Sequence, residues 1–232
     1  MVFGGLQKTS LIDYPGRLSC VIFLSGCNFD CPYCHNPSLA AGSAGGRDLL
    51  NQDNLYDFLD KRRGFLDGVV ISGGEPTIQK NLFKLCESIK GLGYSIKLDT
   101  NGSRPDELKR LMEYGLVDYV AMDIKTEPFR YKDLICGDFN TEDLLSSVVS
   151  IMHSAPDYEF RTTCVKGFVD ELIIENIAHI IKGANLYALQ AFNPAEVLHP
   201  EFFKDRDTVL DDIEMDRLRS IAEPWVKECV VR

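Results

Sequence analysis

Short, nearly continuous apolar runs recur along the chain at residues 18–24, 68–71, 94–98, 117–124, 158–165 and 185–191. Runs of this length, rich in β-branched and aromatic residues, suit strands buried on both faces. Helical patterns lie between them. Leu82, Leu85, Cys86 and Ile89 keep the i, i+3, i+4, i+7 spacing, as do Leu108, Leu111 and Met112, and Ile173, Ile177, Ile180 and Ile181. Gly115 and Gly183 stand where C-terminal caps belong. Strand alternating with helix about six times predicts successive right-handed βα units, wound into a parallel sheet or an incomplete barrel. Ligands of such sheets bind at the C-terminal strand ends. Residues 39–46 are small and flexible and read as a mobile loop rather than a linker. With no repeat beyond the βα alternation and no break in composition, residues 1–232 read as a single domain.

Composition narrows the function classes. Lys and Arg number 25 against 35 Asp and Glu, a net charge of −10, so the chain is not built to coat nucleic acid or an anionic membrane. Hydrophobic residues at 45% and charged residues at 26% are those of a globular protein. The N-terminus lacks an apolar segment behind a basic start, and no run approaches the roughly 20 residues that span a bilayer, which predicts a soluble cytoplasmic protein.

The cysteines carry the candidate chemistry. Three of the eight, in Cys27-Asn-Phe-Asp-Cys31-Pro-Tyr-Cys34, form a C-x3-C-x2-C loop directly after the first predicted strand. In a cytosolic chain such a cluster points to metal rather than disulfides. Three thiolates can hold an iron–sulfur cluster with one iron left free for a substrate. A structural Cys3His zinc site using His35 is the alternative, although His35 adjoins Cys34 where zinc motifs space paired ligands two to four residues apart. Cys20, Cys86 and Cys164 fall in apolar patterns as small hydrophobes, and Cys136 and Cys229 have no evident role.

The loop resembles the signature of the radical S-adenosylmethionine (SAM) superfamily, including the aromatic Tyr33 before the third cysteine. A second motif similar to that superfamily, Ser72-Gly73-Gly74-Glu75-Pro76, follows the second predicted strand. Asp99-Thr-Asn-Gly102 closes the third and Asp123-Ile-Lys125 the fourth, so a carboxylate and an ammonium share one face at the ligand edge. Lys8-Thr-Ser-Leu-Ile-Asp13-Tyr-Pro15-Gly16 and Tyr33-Cys34-His35-Asn36-Pro37 resemble the glycyl-radical-enzyme activating proteins, in particular activators of anaerobic ribonucleotide reductase, over nearly the whole chain.

The resemblance implies an incomplete (β/α) barrel of about six parallel strands with helices outside. It implies a 4Fe-4S cluster on Cys27, Cys31 and Cys34, and SAM held with the help of Tyr33, Gly73, Gly74, Glu75, Asp99, Asn101, Asp123, Lys125 and Asn193. Asp99, Thr100, Asp123 and the backbone near Ala121 match a monovalent-cation site of some activators, and Lys125 matches the partner of the methionine carboxylate. Asp13, His35 and Arg161 match catalytic positions that approach the partner's glycine loop. The activity implied is reductive cleavage of SAM to a 5′-deoxyadenosyl radical that generates a glycyl radical on the large subunit of anaerobic ribonucleotide reductase. The electron comes from a donor such as flavodoxin or ferredoxin. No cysteine-rich insert follows Cys34, so auxiliary clusters are not expected. The late histidine with which some activators touch the ribose has no clear match, and the segment Gln190-Ala-Phe-Asn193-Pro194 stands near its place. Two rivals remain: a radical SAM enzyme acting on a small-molecule or purine-like substrate, and a non-enzymatic cluster or zinc module, which has no need of the Gly-Gly-Glu-Pro loop.

Overall fold

A computed structural model of the chain describes residues 1–42, 52–134, 136–137, 140–194 and 197–232, with side chains at 133–139 left out. In chain order the elements begin with β1 (Phe3–Ser10), β2 (Ser19–Leu24), β3 (Phe29–Asp30), α1 (Pro37–Ala40), α2 (Gln52–Lys61), β4 (Gly68–Gly73), α3 (Leu82–Gly91), β5 (Ser95–Thr100) and α4 (Pro105–Glu113). They continue with β6 (Tyr119–Asp123), α5 (Tyr131–Leu134), β7 (Cys136–Gly137), α6 (Thr141–Ser154), β8 (Tyr158–Cys164), α7 (Glu171–Ile180), β9 (Tyr187–Ala191), α8 (Pro200–Phe203), α9 (Asp212–Ala222) and β10 (Cys229–Val231).

One eight-stranded sheet runs β1-β2-β4-β5-β6-β8-β9-β10, while β3 and β7 form a separate two-stranded ribbon. The six expected parallel strands are β2, β4, β5, β6, β8 and β9. The sheet extends them at both edges, with β10 parallel to β9 and β1 antiparallel to β2. Residues from both edge regions, Ile12 and Pro15 beyond β1 and Arg232 beyond β10, line one cleft, so the sheet curls into a barrel left open along one side.

The helices pack outside by the faces their spacing predicts. α3 buries Leu82, Leu85, Cys86 and Ile89, α4 buries Leu108, Leu111 and Met112, and α7 buries Ile173, Ile174 and Ile177. Their starts are set locally: Pro105 opens α4, Asp170 accepts from Ile173 N at the head of α7, and a capping box of Asp211 and Glu214 begins α9. The concave side of the sheet is different. Tyr14, Val21, Val70, Tyr119 and Ala121 form a small apolar plug at one end, with the Tyr14 and Tyr119 ring centroids 6.0 Å apart. Above it the inward positions are charged or polar. Residues 39 and 40 belong to α1, where Leu39 is buried, because Pro37 sets a first helical turn; of the expected loop, 41 and 42 form a turn and 43–46 lie outside the described residues.

Candidate active site

The site grows from the C-terminal ends of the strands. After β2 the chain loops through the three cysteines and returns as α1, where the carbonyls of Leu39 and Ala40 accept from Gly26 N at 2.7 Å and Cys27 N at 3.1 Å. Cys34 N donates to Cys31 O at 3.0 Å, and β3 pairs with β7 from within the loop. Backbone bonds therefore fix the loop at both ends. Cys27, Cys31 and Cys34 all line one cavity of about 250 Å³. Burial pushes the Cys27 thiol up to about 11 and the Cys31 thiol up to about 12, so metal binding must displace protons from both.

The loop after β4 forms the adjoining wall. A Cβ on Gly73 would stand 2.2 Å from Leu24 O, and one on Gly74 would stand 2.0 Å from Gly26 O. Gly73 also has a φ of 122°. Side chains are thus excluded at both positions, and a bare backbone edge lies on the cavity. Gly74 N donates to Leu24 O and Glu75 N to Gly26 O, each at 2.8 Å, which zips this loop to the cysteine loop. The buried carboxylate of Glu75 turns inward: it accepts from Thr77 N at 3.0 Å, Thr77 Oγ1 at 2.5 Å, Thr100 Oγ1 at 2.8 Å and Asn101 N at 2.7 Å. What this motif presents to a ligand is its backbone.

Asn101 carries the connection further. Its Nδ2 donates to Asn28 Oδ1 at 3.0 Å, and Asn28 Nδ2 donates to Ser103 Oγ at 2.9 Å, tying the end of β5 to the cysteine loop.

Across the cavity floor runs a ladder of alternating charge. Lys97 Nζ meets Asp99 Oδ1 at 2.6 Å. Arg161 reaches Asp99 Oδ1 with Nη1 at 3.4 Å and Asp123 Oδ1 with Nε at 2.7 Å. Lys125 Nζ meets Asp123 Oδ2 at 3.0 Å. Burial alone would raise both carboxyls, but Arg161 outweighs it, with Lys97 at Asp99 and Lys125 at Asp123, and holds both below the usual carboxylate range. For Lys125, burial works against the charge, and Asp123 overrides it and raises the ammonium. An ionised Lys125 on the cavity wall is fit to receive a carboxylate.

Of the residues singled out from the sequence, Cys27, Cys31, Tyr33, Cys34, His35, Gly73, Gly74, Glu75, Asp99, Thr100, Asn101, Asp123, Lys125 and Arg161 all line this cavity. Asp13 lines a second, open cleft of about 510 Å³ between the barrel edges, and Arg161 and Gln190 border both spaces. Asn193 does not line the cavity; its carbonyl accepts from His35 Nε2 at 2.9 Å. Thr163 and Gln190 also line it, as do Phe29, Asn36, Ala40 and Ser72; Thr163 was not singled out from the sequence, although strand alternation puts it on the face of Arg161 in β8.

The donor set fits a multi-iron cluster. Three thiols, the ligands that iron–sulfur clusters take, share one cavity. His35, the fourth ligand of the zinc alternative, stacks on Phe192 and bonds to Asn193. Tyr33, whose buried hydroxyl has no hydrogen-bond partner, lines the same space. Among the described residues no helix is long and apolar enough to cross a membrane.

Comparison with known proteins agrees with this geometry. The family model described as the radical SAM superfamily matches residues 21–180. A Methanocaldococcus jannaschii protein named for the glycyl-radical enzyme activating enzymes is 36% identical over 98% of this chain and 94% of its own length. A pyruvate formate-lyase-activating enzyme of Clostridium pasteurianum is 32% identical over 54% of each chain. Among solved structures, Streptococcus suis SuiB bound to S-adenosylmethionine shares the fold with a TM-score of 0.64 at 12% identity, over 91% of this chain. The chain spans about half of that larger structure, 51%. The cysteine loop, the bare glycine edge and the matched family together place this chain in the radical SAM superfamily, whose cofactors are a 4Fe-4S cluster and S-adenosylmethionine, among the glycyl-radical enzyme activating enzymes.

Proposed function

We propose that this protein generates a glycyl radical on the large subunit of an anaerobic ribonucleotide reductase, acting in the cytoplasm as one domain over residues 1–232, with an electron supplied by a flavodoxin or ferredoxin. When bound, the cluster and SAM supply a one-electron reductive cleavage that yields a 5′-deoxyadenosyl radical. Cys27, Cys31 and Cys34 hold the cluster. Lys125 receives the methionine carboxylate, and the backbone edge at Gly73 and Gly74 receives the amino group. Tyr33 and Asn101 shape the space around the nucleoside, and Asn193 acts through His35, whose Nε2 its carbonyl holds. The walls fix distances, which is how positioning raises the rate of a step the protein does not itself perform.

The observation that carries the choice of a protein substrate is the meeting of the two cavities at Arg161 and Gln190. The open side of the barrel leads past Asp13 to the cysteine cavity, a route shaped for an extended peptide loop. Asp13 is held in place by Ser10, whose hydroxyl donates to its carboxylate, and His35 stands at the rim on Asn193. Both are placed to grip backbone groups of an entering loop. The test is electron paramagnetic resonance of the anaerobic mixture of cluster-loaded protein, SAM, reductant and candidate reductase. A glycyl doublet with wild type that fades in Asp13→Ala, while uncoupled SAM cleavage persists, supports the reading. Turnover of a small molecule, with no doublet on any glycyl radical enzyme, would overturn it.

A further inference from the structure

We infer that Arg161 is the resident counter-cation of this site: its guanidinium stands between the carboxylates of Asp99 and Asp123, the positions at which the resemblance implied a monovalent cation, so SAM binds this chain without potassium or sodium. The inference rests on the proposed binding of SAM in the cysteine cavity. Three of the four carboxylate oxygens a metal ion would use already carry cationic donors, and Asp99 Oδ2 alone stands outside the ion pairs. Asp99 Oδ1 takes both Lys97, at 2.6 Å, and Arg161, at 3.4 Å. Asp123 gives Oδ1 to Arg161 at 2.7 Å and Oδ2 to Lys125 at 3.0 Å. The Thr100 hydroxyl donates to Glu75 at 2.8 Å and accepts from Gly102 N at 3.1 Å.

The charge balance points the same way. Within the ladder, Lys97, Arg161 and Lys125 against Asp99 and Asp123 leave one positive charge over, the sign that suits a methionine carboxylate. Glu159, below, is matched by Arg232 at 2.8 Å and does not alter that balance. An added metal ion would leave a second uncompensated charge in a buried site, where charges interact strongly. The side chain of Arg161 is only 13% exposed, and a guanidinium keeps its proton at any working pH, so the charge is permanent. Arg161 therefore acts as a positioning residue that holds the two carboxylates and, through Asp123, the ammonium of Lys125.

The test measures equilibrium binding of SAM to the cluster-loaded protein under anaerobic conditions, in potassium, sodium and tetramethylammonium chloride at equal ionic strength. The wild type and Arg161→Lys are expected to bind equally in all three salts. Arg161→Met is expected to bind roughly tenfold more weakly in tetramethylammonium, the size of one lost charged hydrogen bond, and to recover in potassium. The thermal midpoint of the cluster-free protein supplies a second readout: potassium should raise it for Arg161→Met and leave wild type unchanged. A wild type whose affinity rises severalfold in potassium over tetramethylammonium would overturn the inference, as would an Arg161→Met protein that binds as wild type without metal ions. If Arg161→Met does not fold, the salt comparison on wild type and Arg161→Lys still decides. Absence of SAM binding in every salt, with the cluster present, would instead refute the proposed function.

Discussion

Replacing Gly74 by alanine adds one methyl group, and the structure says where it goes. The new Cβ lies 2.0 Å from Gly26 O, 2.5 Å from Gly26 C and 3.1 Å from Cys27 N, all backbone atoms of the cysteine loop. Non-bonded carbon contacts settle near 3.5–4.0 Å, so the two loops must part by about 1 Å or more. That separation strains the 2.8 Å bond from Glu75 N to Gly26 O, which zips them together. Overpacking costs about 1–3 kcal/mol and the hydrogen bond about 1 kcal/mol more, a loss of roughly 2–4 kcal/mol. For a chain of this length the thermal midpoint falls by about 5–15 °C. Cys27 moves with the displaced loop, so iron incorporation falls as well. Gly91→Ala is the control: its Cβ meets nothing within 4 Å, and in α3 it should stabilise by about 0.5–1 kcal/mol. The assays are scanning calorimetry of the cofactor-free protein and iron and sulfide content after anaerobic reconstitution. A Gly74→Ala protein with the wild-type midpoint and a full complement of iron would refute the reasoning.

Alanine at Cys27, Cys31 or Cys34 should each abolish the visible absorption of the reconstituted cluster, whereas Cys86→Ala, on the buried face of α3, should keep it. Lys125→Ala should weaken SAM binding by about 1.5–3 kcal/mol, measured by anaerobic titration, with the cluster intact. Tyr33→Phe removes a buried hydroxyl that has no partner and should stabilise the cofactor-free protein by about 1 kcal/mol in urea denaturation. His199, on Asp30 at 2.9 Å and Glu201 at 3.1 Å, has its imidazole pKa raised, first by the hydrogen bond to Asp30. A raised folded value means its stabilisation is complete below the unfolded pKa and lost as pH climbs through the folded one. The stability gap between wild type and His199→Gln should therefore narrow from pH about 6 to about 9, and imidazole NMR should show the raised value.

The interior strands were legible because burial on both faces writes itself as continuous apolar runs, and β2, β8 and β9 fall within two residues of the runs at 18–24, 158–165 and 185–191. The edges were not. β1, Phe-Gly-Gly-Leu-Gln-Lys-Thr-Ser, is half exposed and polar, and β10 is three residues long, so neither carries a periodic signal. The cysteine and glycine loops were readable because metal ligation and close backbone approach demand particular residue types at fixed spacing. The ladder was only half readable. Asp123 and Lys125 share a face by strand alternation, but that Arg161 bridges Asp99 and Asp123 depends on β8 lying beside β6, a pairing no local pattern encodes. Lys97, 2% exposed inside the barrel, stands in a strand that reads as an apolar run, so the polar interior was not legible there.

Neighbours in the large sheet follow one another in chain order from β1 to β10. Each new strand therefore has a formed edge waiting for it, and the sheet can lengthen in one direction as the polypeptide leaves the ribosome. The thiols are synthesised early, on the loop after β2. Their enclosure is late: Asp123, Lys125, Arg161, Thr163 and Gln190 belong to strands or strand ends laid down only afterwards. A nascent chain that has completed β5 exposes three cysteines with five of the wall residues still to come. A cluster assembled after β9 is complete therefore meets all of these wall residues, and one assembled earlier does not.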